Sequence, residues 1–246
     1  MSDLIQWPKA MYWDRPFNTW LGCRPISPAC DNCYARCATV DRFGQSFEPH
    51  RTKKFNPPSK GIVFCGNMTD LFGDWIDLEE IKGIVATTMK KNDDAKFIWL
   101  TKRVDRMKRV LEYWATLQKP EYWLRNSVFG FTAENQEWFD RRAPIAAAFP
   151  DCARVWLSAE PLLGRIRMFH PIIHRLSWVV VGCESGPNRR PCKLEWIESI
   201  VDQCSAANVP VFVKQLDINN KCERDITKFP AHLQIRQVPW VKKGGA

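Results

Sequence analysis

Cys23, Cys30 and Cys33 are the residues whose type and spacing could do chemistry in this chain. They stand in the run Gly22-Cys23-Arg24-Pro25-Ile26-Ser27-Pro28-Ala29-Cys30-Asp31-Asn32-Cys33-Tyr34. Pro25 and Pro28 bar a continuous helix here, so the thiols sit on an ordered loop and can converge on one point. Three convergent thiolates without an obvious fourth partner suit a [4Fe–4S] cluster with one iron open to a further ligand. A closed structural zinc site needs four ligands, and Cys37 could supply the fourth through the spacing Cys33-x3-Cys37. In that alternative the loop is purely structural, and the chain is a non-catalytic, zinc-stabilised nucleic-acid-binding protein.

From residue 61 onward short apolar runs alternate with amphipathic stretches. The runs are Ile62–Phe64, Phe97–Leu100, Val128–Phe131, Val155–Leu157, Trp178–Val181 and Val211–Val213. Apolar character without alternation marks parallel strands buried on both faces. Asp77-Leu78-Glu79-Glu80 reads as a capping box opening a helix that carries Ile81, Ile84, Val85 and Met89. Val104, Met107, Leu111 and Trp114 make a second stripe. Asn135 caps a third helix, bearing Trp138, and Ile197, Ile200, Val201 and Cys204 form a fourth that stops at Asn208. These stripes are core faces. The βαβα order predicts an α/β fold, a partial (open) parallel β/α barrel of about six strands.

A polar group follows each run: Asn67 and Asp70; Thr101, Lys102 and Arg103; Thr132, Glu134 and Asn135; Ser158 and Glu160; Glu184 and Ser185; Lys214 and Gln215. At the C-terminal mouth of a parallel barrel such residues gather where chemistry is done. Helix caps and turns account for part of the set. Cys65 and Cys183 lie just past strands; a thiol there could return hydrogen to a product radical, although a small buried cysteine is the commoner case. Together with Glu184 they are the catalytic candidates. His170 and His174, separated by Pro171 and without an acidic companion, do not make a zinc pair.

The 246 residues suffice for a single domain over 1–246, with a cluster loop at 17–37, a basic, Pro-rich excursion at 41–60 and a frayed tail at 240–246. With 45% hydrophobic residues, a core forms without staples. No apolar run is long enough to span a bilayer and the N-terminus lacks a secretory signal, so no membrane is expected and the location is cytoplasmic. Ten cysteines in a reducing compartment point to metal or redox chemistry. Lys and Arg total 36 against 27 Asp and Glu, a net charge of +9 that suggests an acidic partner such as nucleic acid.

Several blocks together resemble a known group. They are Phe17-Asn18-Thr19-Trp20-Leu21-Gly22-Cys23, the Cys30/Cys33 pair with Tyr34-Ala35, Asn67-Met68-Thr69-Asp70-Leu71-Phe72, Leu100-Thr101-Lys102-Arg103, Ser158-Ala159-Glu160-Pro161-Leu162-Leu163-Gly164 and Gly182-Cys183-Glu184-Ser185-Gly186. In order, from about residue 5 to residue 216, they resemble the phage-associated three-Cys-motif family of uncharacterised proteins. That family looks like a remote branch of the radical S-adenosylmethionine (SAM) superfamily and is distantly similar to spore photoproduct lyase. The resemblance implies a radical-SAM-like open barrel with a [4Fe–4S] cluster on the loop after an initial short strand. It implies SAM on the open iron, cleaved to methionine and a 5′-deoxyadenosyl radical, and an electron donor of reductase or flavodoxin type. It places Tyr34 by the adenine or over the cluster, and Asn67 and Asp70 at the amino group of SAM. Lys102 would meet the carboxylate or Arg103 a substrate phosphate, Glu134 or Ser158 would bind the ribose, and Glu160 joins the cofactor-binding set. A nucleic acid or nucleotide is the implied substrate, with the Lys102–Arg109 cluster, Arg189-Arg190 and exposed tryptophans assisting. Three features depart from the superfamily pattern. The usual spacing is Cys-x3-Cys-x2-Cys, whereas six residues fill the first gap here. The aromatic follows the last cysteine, and Cys183 replaces the second glycine of a Gly-Gly-Glu-Ser-Gly turn.

Overall fold

The structure is a computed structural model that describes residues 4–91, 94–186 and 188–242. In chain order its strands are β1 (Leu4–Gln6), β2 (Arg15–Phe17), β3 (Trp20–Leu21), β4 (His50–Arg51), β5 (Gly61–Cys65), β6 (Ala95–Thr101), β7 (Ser127–Thr132), β8 (Val155–Ala159), β9 (Leu176–Gly182), β10 (Val211–Ile218), β11 (Lys221–Glu223) and β12 (Gln237–Lys242). The helices are α1 (Tyr34–Cys37), α2 (Leu78–Met89), α3 (Val104–Ala115), α4 (Pro120–Leu124), α5 (Gln136–Ala147), α6 (Ile172–Arg175) and α7 (Leu194–Ala206). The fold is α/β and mostly parallel. Each of the six apolar runs is a strand, and each of the four stripes is a helix.

The chain forms two compact units. One comprises Trp13–Phe131 and Ala148–Arg154; the other takes, within the described residues, Met1–Tyr12, Thr132–Ala147 and Val155–Ala246. In the first unit β2, β5, β6 and β7 are hydrogen-bonded in that order, all parallel. In the second, β8, β9 and β10 are parallel and β11 turns back antiparallel to β10. The count of about six is therefore corrected by β2 and β11, three-residue strands that are exposed or half-buried apart from Phe17 and too short to give an apolar signal. β12 pairs with β1. The fraying expected from residue 240 does not begin there, and 243–246 lie outside the described residues.

Each unit has an aromatic core. In the first, Trp99 stacks on Phe129 with ring centroids 6.1 Å apart. In the second, Tyr12 stands edge-on to Trp156, Trp178 and Phe212. The helix starts follow from short polar side chains. Asn135 Oδ1 accepts from Trp138 N at 3.1 Å, and Asp77 Oδ1 from Glu79 N at 2.8 Å. The capping box is only half formed. Glu80 turns away from the helix start and accepts from Trp20 Nε1 at 2.8 Å and from the Arg51 guanidinium. A carboxylate offered a cation and an indole N–H gains more there than from one backbone amide.

Candidate metal centre

The three cysteines occupy successive turns of one loop in the first unit. Cys23 follows β3, which pairs with β4 of the basic excursion through Trp20–Arg51 and Leu21–His50. Cys23 N donates to Phe47 O at 3.1 Å. Pro28–Cys30 is a single 3₁₀ turn, closed by Cys30 N donating to Ser27 O at 2.9 Å. Cys33 N then donates to Cys30 O at 3.3 Å, and Cys33 itself is the N-cap of α1. Pro25 and Pro28 thus hold the chain to short turns, and the thiols stay half-exposed and free of disulfides.

Gly22 sets the entry to this loop. Its φ is +80°, and a Cβ there would stand 2.4 Å from Glu48 O. Gly44, in the same unit, has φ +62° with nothing within 4 Å of its Cβ position. Both substitutions to alanine carry left-handed strain of about 1–2 kcal/mol, but only Gly22→Ala also forces the excursion away. Gly44→Ala is expected to lower the melting temperature by a few degrees. Gly22→Ala is expected to lower it further and to reduce iron retention, read by thermal unfolding and iron analysis side by side. Equal effects on both readouts would mean that the close approach of 22 and 48 is irrelevant.

A cavity of about 210 Å³ opens beside the loop, lined by Cys23, Arg24, Pro25, Cys30, Cys33, Arg36, Val40, Phe47 and Glu48. At about 30 Å³ per water, it has room for a guest well beyond one ion. Cys37 is not among its walls. Burial, then a hydrogen bond with the Asp41 carboxylate, raises the pKa of the Cys37 thiol. Among the described residues no three His, Cys, Asp or Glu side chains are arranged to hold a single metal ion. A cube ligated at three corners keeps its thiolates farther apart than one ion does. Cys23, Cys30 and Cys33 therefore line one cavity that Cys37 does not line, a set of three thiol-bearing residues that suits a cluster with three protein ligands.

A polar clamp on the loops after β5 and β6 supports Cys23. Asp70 Oδ1 accepts from Thr101 Oγ1 at 2.7 Å and Phe72 N at 3.0 Å; Oδ2 accepts from Lys102 N at 3.1 Å and Arg103 Nη1 at 3.2 Å. Arg103 continues to Arg24 O at 3.0 Å and lies over the Trp75 ring. Thr69 Oγ1 donates to Gly22 O at 2.6 Å. Burial, then the Asp70 charge, raises the Cys23 thiol to about 11, against the lowering pull of Arg103 and Lys102. Without metal this thiol is protonated, so a thiophile must displace a proton to bind.

A family model described as a protein of unknown function, DUF5131, matches residues 7–235. The chain belongs to the DUF5131 family. No curated protein and no solved structure matches this DUF5131 chain. The family match covers the cysteine loop, the clamp and both units.

Other predicted site residues of this DUF5131 member are placed as follows. Tyr34 Oη donates to Asn67 O, tying the cysteine loop to the loop after β5, and Asn67 Oδ1 accepts from Asn18 Nδ2 at 2.7 Å. Asp70 is filled by four donors. These bonds tie Thr101, Lys102 and Arg103 together. The Lys102 ammonium acts on Cys23 and forms no ion pair among the described residues. In the second unit Glu134, fully buried, pairs with Arg142 at 3.0 Å. Ser158 Oγ lies 3.5 Å from Glu160 Oε2, and Glu160 pairs with Lys214 at 2.9 Å. Glu184 is held by Arg190 at 2.6 Å. Cys65 is fully buried, and burial alone raises its pKa. The sequence reading missed Arg24, Arg36, Phe47 and Glu48 as cavity walls; the one available signal was that two of them lie within a few residues of a cysteine.

Proposed function

We propose that the chain is a radical-SAM-type enzyme whose [4Fe–4S] cluster is held by Cys23, Cys30 and Cys33. The observation that supports this reading is the cavity lined by those three cysteines and not by Cys37. When bound, such a cluster would supply one electron for cleavage of the SAM sulfonium to methionine and a 5′-deoxyadenosyl radical, which would become 5′-deoxyadenosine on taking a hydrogen atom from the substrate. The chain's own residues have separable tasks. Arg24 and Arg36 offset the negative charge of three thiolates at the cavity. Lys102 offers an unpaired ammonium for the carboxylate of SAM. Arg103, fixed between Asp70 and Arg24 O, holds the loop bearing Cys23.

A nucleic acid or nucleotide is the proposed substrate class, on grounds that the structure shifts. Arg103, Arg106, Arg189 and Arg190 are spent on Asp70, on the carbonyls of Phe72 and Ile76, on Asp217 and on Glu184. Among the described residues Trp123 is the one exposed tryptophan, so stacking by several exposed tryptophans has little support. The excursion offers a better surface. Phe43 is 63% and Phe55 59% exposed, among the exposed basic residues Arg42, Lys53 and Lys54. Exposed rings between cations suit single-stranded bases. No helix of the described residues is long and apolar enough to cross a membrane. A cytoplasmic setting, with reduced thiols, belongs to the proposal.

The test is anaerobic reconstitution with iron and sulfide, followed by SAM and a reductant. Methionine and 5′-deoxyadenosine are expected in equal amounts. Iron incorporation without either product would overturn the enzyme reading while leaving the cluster site standing.

A further inference from the structure

The segment between β8 and α6, in the second unit, holds a row of side chains outward. Burial alternates along it: Ile166 and Met168 are buried, whereas Arg165, Arg167 and Phe169 are exposed. The segment is no strand, and two glutamine side chains do for it what neighbouring strands would. Gln136 of α5 accepts from Arg167 N at 2.7 Å and donates to Arg167 O at 3.3 Å. Gln203 of α7 accepts from Met168 N at 2.6 Å and donates to Ile166 O at 3.0 Å. A side-chain amide carries both a donor and an acceptor, as a peptide unit does. The four bonds satisfy the backbone and fix the segment to two helices.

All four bonds go to backbone atoms, so the side chains of Arg165 and Arg167 stay uncommitted. Neither guanidinium has an ion pair among the described residues. Two acids of α5 are engaged elsewhere: Glu137 pairs with Arg141 at 2.7 Å, and Asp140 accepts from Gln136 at 2.8 Å. Phe169 is 43% exposed and meets Phe139 at a ring-centroid distance of 6.0 Å. His170 and His174 follow, both exposed, with ring centroids 4.6 Å apart.

We infer that this segment is a docking surface for single-stranded nucleic acid. Arg165 and Arg167 meet phosphates; Phe169 and the two imidazoles stack on bases. Alternate residues of an extended chain lie about 6–7 Å apart, so the two guanidiniums can serve separate phosphates. Cations alone would suit any acidic partner. Flat rings next to cations suit unpaired bases in particular, and the net charge of +9 agrees with a polyanion. Because the glutamines hold the backbone in place beforehand, binding orders little that is not already ordered. The choice of partner rests on the nucleic-acid reading above, and the surface lies in the other unit from the excursion.

The test is fluorescence anisotropy of a labelled single-stranded oligonucleotide with the full reconstituted chain, over a series of salt concentrations. Wild type is expected to bind the single strand more tightly than a duplex of the same length. Two phosphate contacts contribute about 1.4 to the slope of log affinity against log salt. Arg165→Ala with Arg167→Ala is expected to lose that part of the slope, and the corresponding lysine pair to keep it. Phe169→Ala is expected to weaken binding about 5–150-fold with the slope unchanged, and Phe169→Tyr to restore it. An unchanged slope in the double alanine variant would overturn the inference. So would equal affinity for polyglutamate of matching charge, which would point to an acidic protein. Loss of binding in Phe43→Ala with Phe55→Ala, and none in the Arg165, Arg167 and Phe169 variants, would overturn it while leaving the nucleic-acid substrate standing. Ultraviolet cross-linking of wild type to a bromouridine oligonucleotide, expected within 165–174, decides the matter even if a variant fails to fold.

Discussion

Alanine at Cys23, Cys30 or Cys33 is expected to leave the chain without iron, whereas alanine at Cys37 is expected to leave iron and sulfide unchanged. The contrast follows from which cysteines share the cavity. Cys23, Cys30 and Cys33 line it, and Cys37, beside Asp41, does not. The scale comes from thiolate metal sites in general. Structural zinc contributes about 10–16 kcal/mol, so each of four ligands carries about 2.5–4 kcal/mol, or on the order of 10²–10³ in affinity. A cluster with three protein ligands has none to spare, and loss of one should reduce retained iron to background. The measurement is iron and acid-labile sulfide per chain after anaerobic reconstitution, with visible absorbance as a second reading. Loss of iron in Cys37→Ala would place Cys37 in the donor set and restore the four-thiolate zinc alternative. Iron retained in Cys30→Ala would remove the cluster proposal altogether.

What the sequence made legible was decided by how strongly each feature depends on local pattern. Runs such as Trp178–Val181 and stripes such as Ile197–Cys204 have one solution, burial, and both lie where periodicity puts them. Arg15–Phe17 and Lys221–Glu223 are short and partly exposed, and they become strands only because a neighbour offers a free edge; no local signal carries that. The cysteine loop was legible by type and spacing, and the direction of Cys37 was not, since it depends on Asp41 one helical turn on. The polar residues after the strands were read as a rim facing a ligand. Several are instead consumed by each other: Glu134 by Arg142, Glu184 by Arg190, Asp70 by four donors. A sequence shows which groups carry charge, but whether that charge is spent inside the protein depends on partners far along the chain. Arg103 meets the backbone of Arg24 across a separation that no window captures.

Asp70→Ala is expected to produce the largest loss of stability of any single change in the cysteine-loop unit. The carboxylate is nearly buried, at 9% side-chain exposure, and so is its partner Arg103 at 10%. Removing one member of a buried ion pair costs about 3–5 kcal/mol, because the remaining charge stays desolvated without compensation. Here the loss also orphans Thr101 Oγ and the amides of Phe72 and Lys102. For a chain of this size each kcal/mol moves the melting temperature by about 2–4 °C, so a fall of about 6–20 °C is expected. Asp70→Asn separates charge from shape. Its amide can still accept at one oxygen but turns a donor toward Lys102 N–H and Arg103, so it should recover only part of the loss. The consequence reaches the metal centre through Arg103, which without Asp70 has less reason to hold Arg24 O beside Cys23. Reconstituted Asp70→Ala protein should therefore release iron to a chelator faster than wild type at temperatures well below its own unfolding. A melting temperature within about 2 °C of wild type would show that Asp70 is not the clamp. A large fall in melting temperature with unchanged iron release would show that the clamp supports the fold and not the cysteine loop.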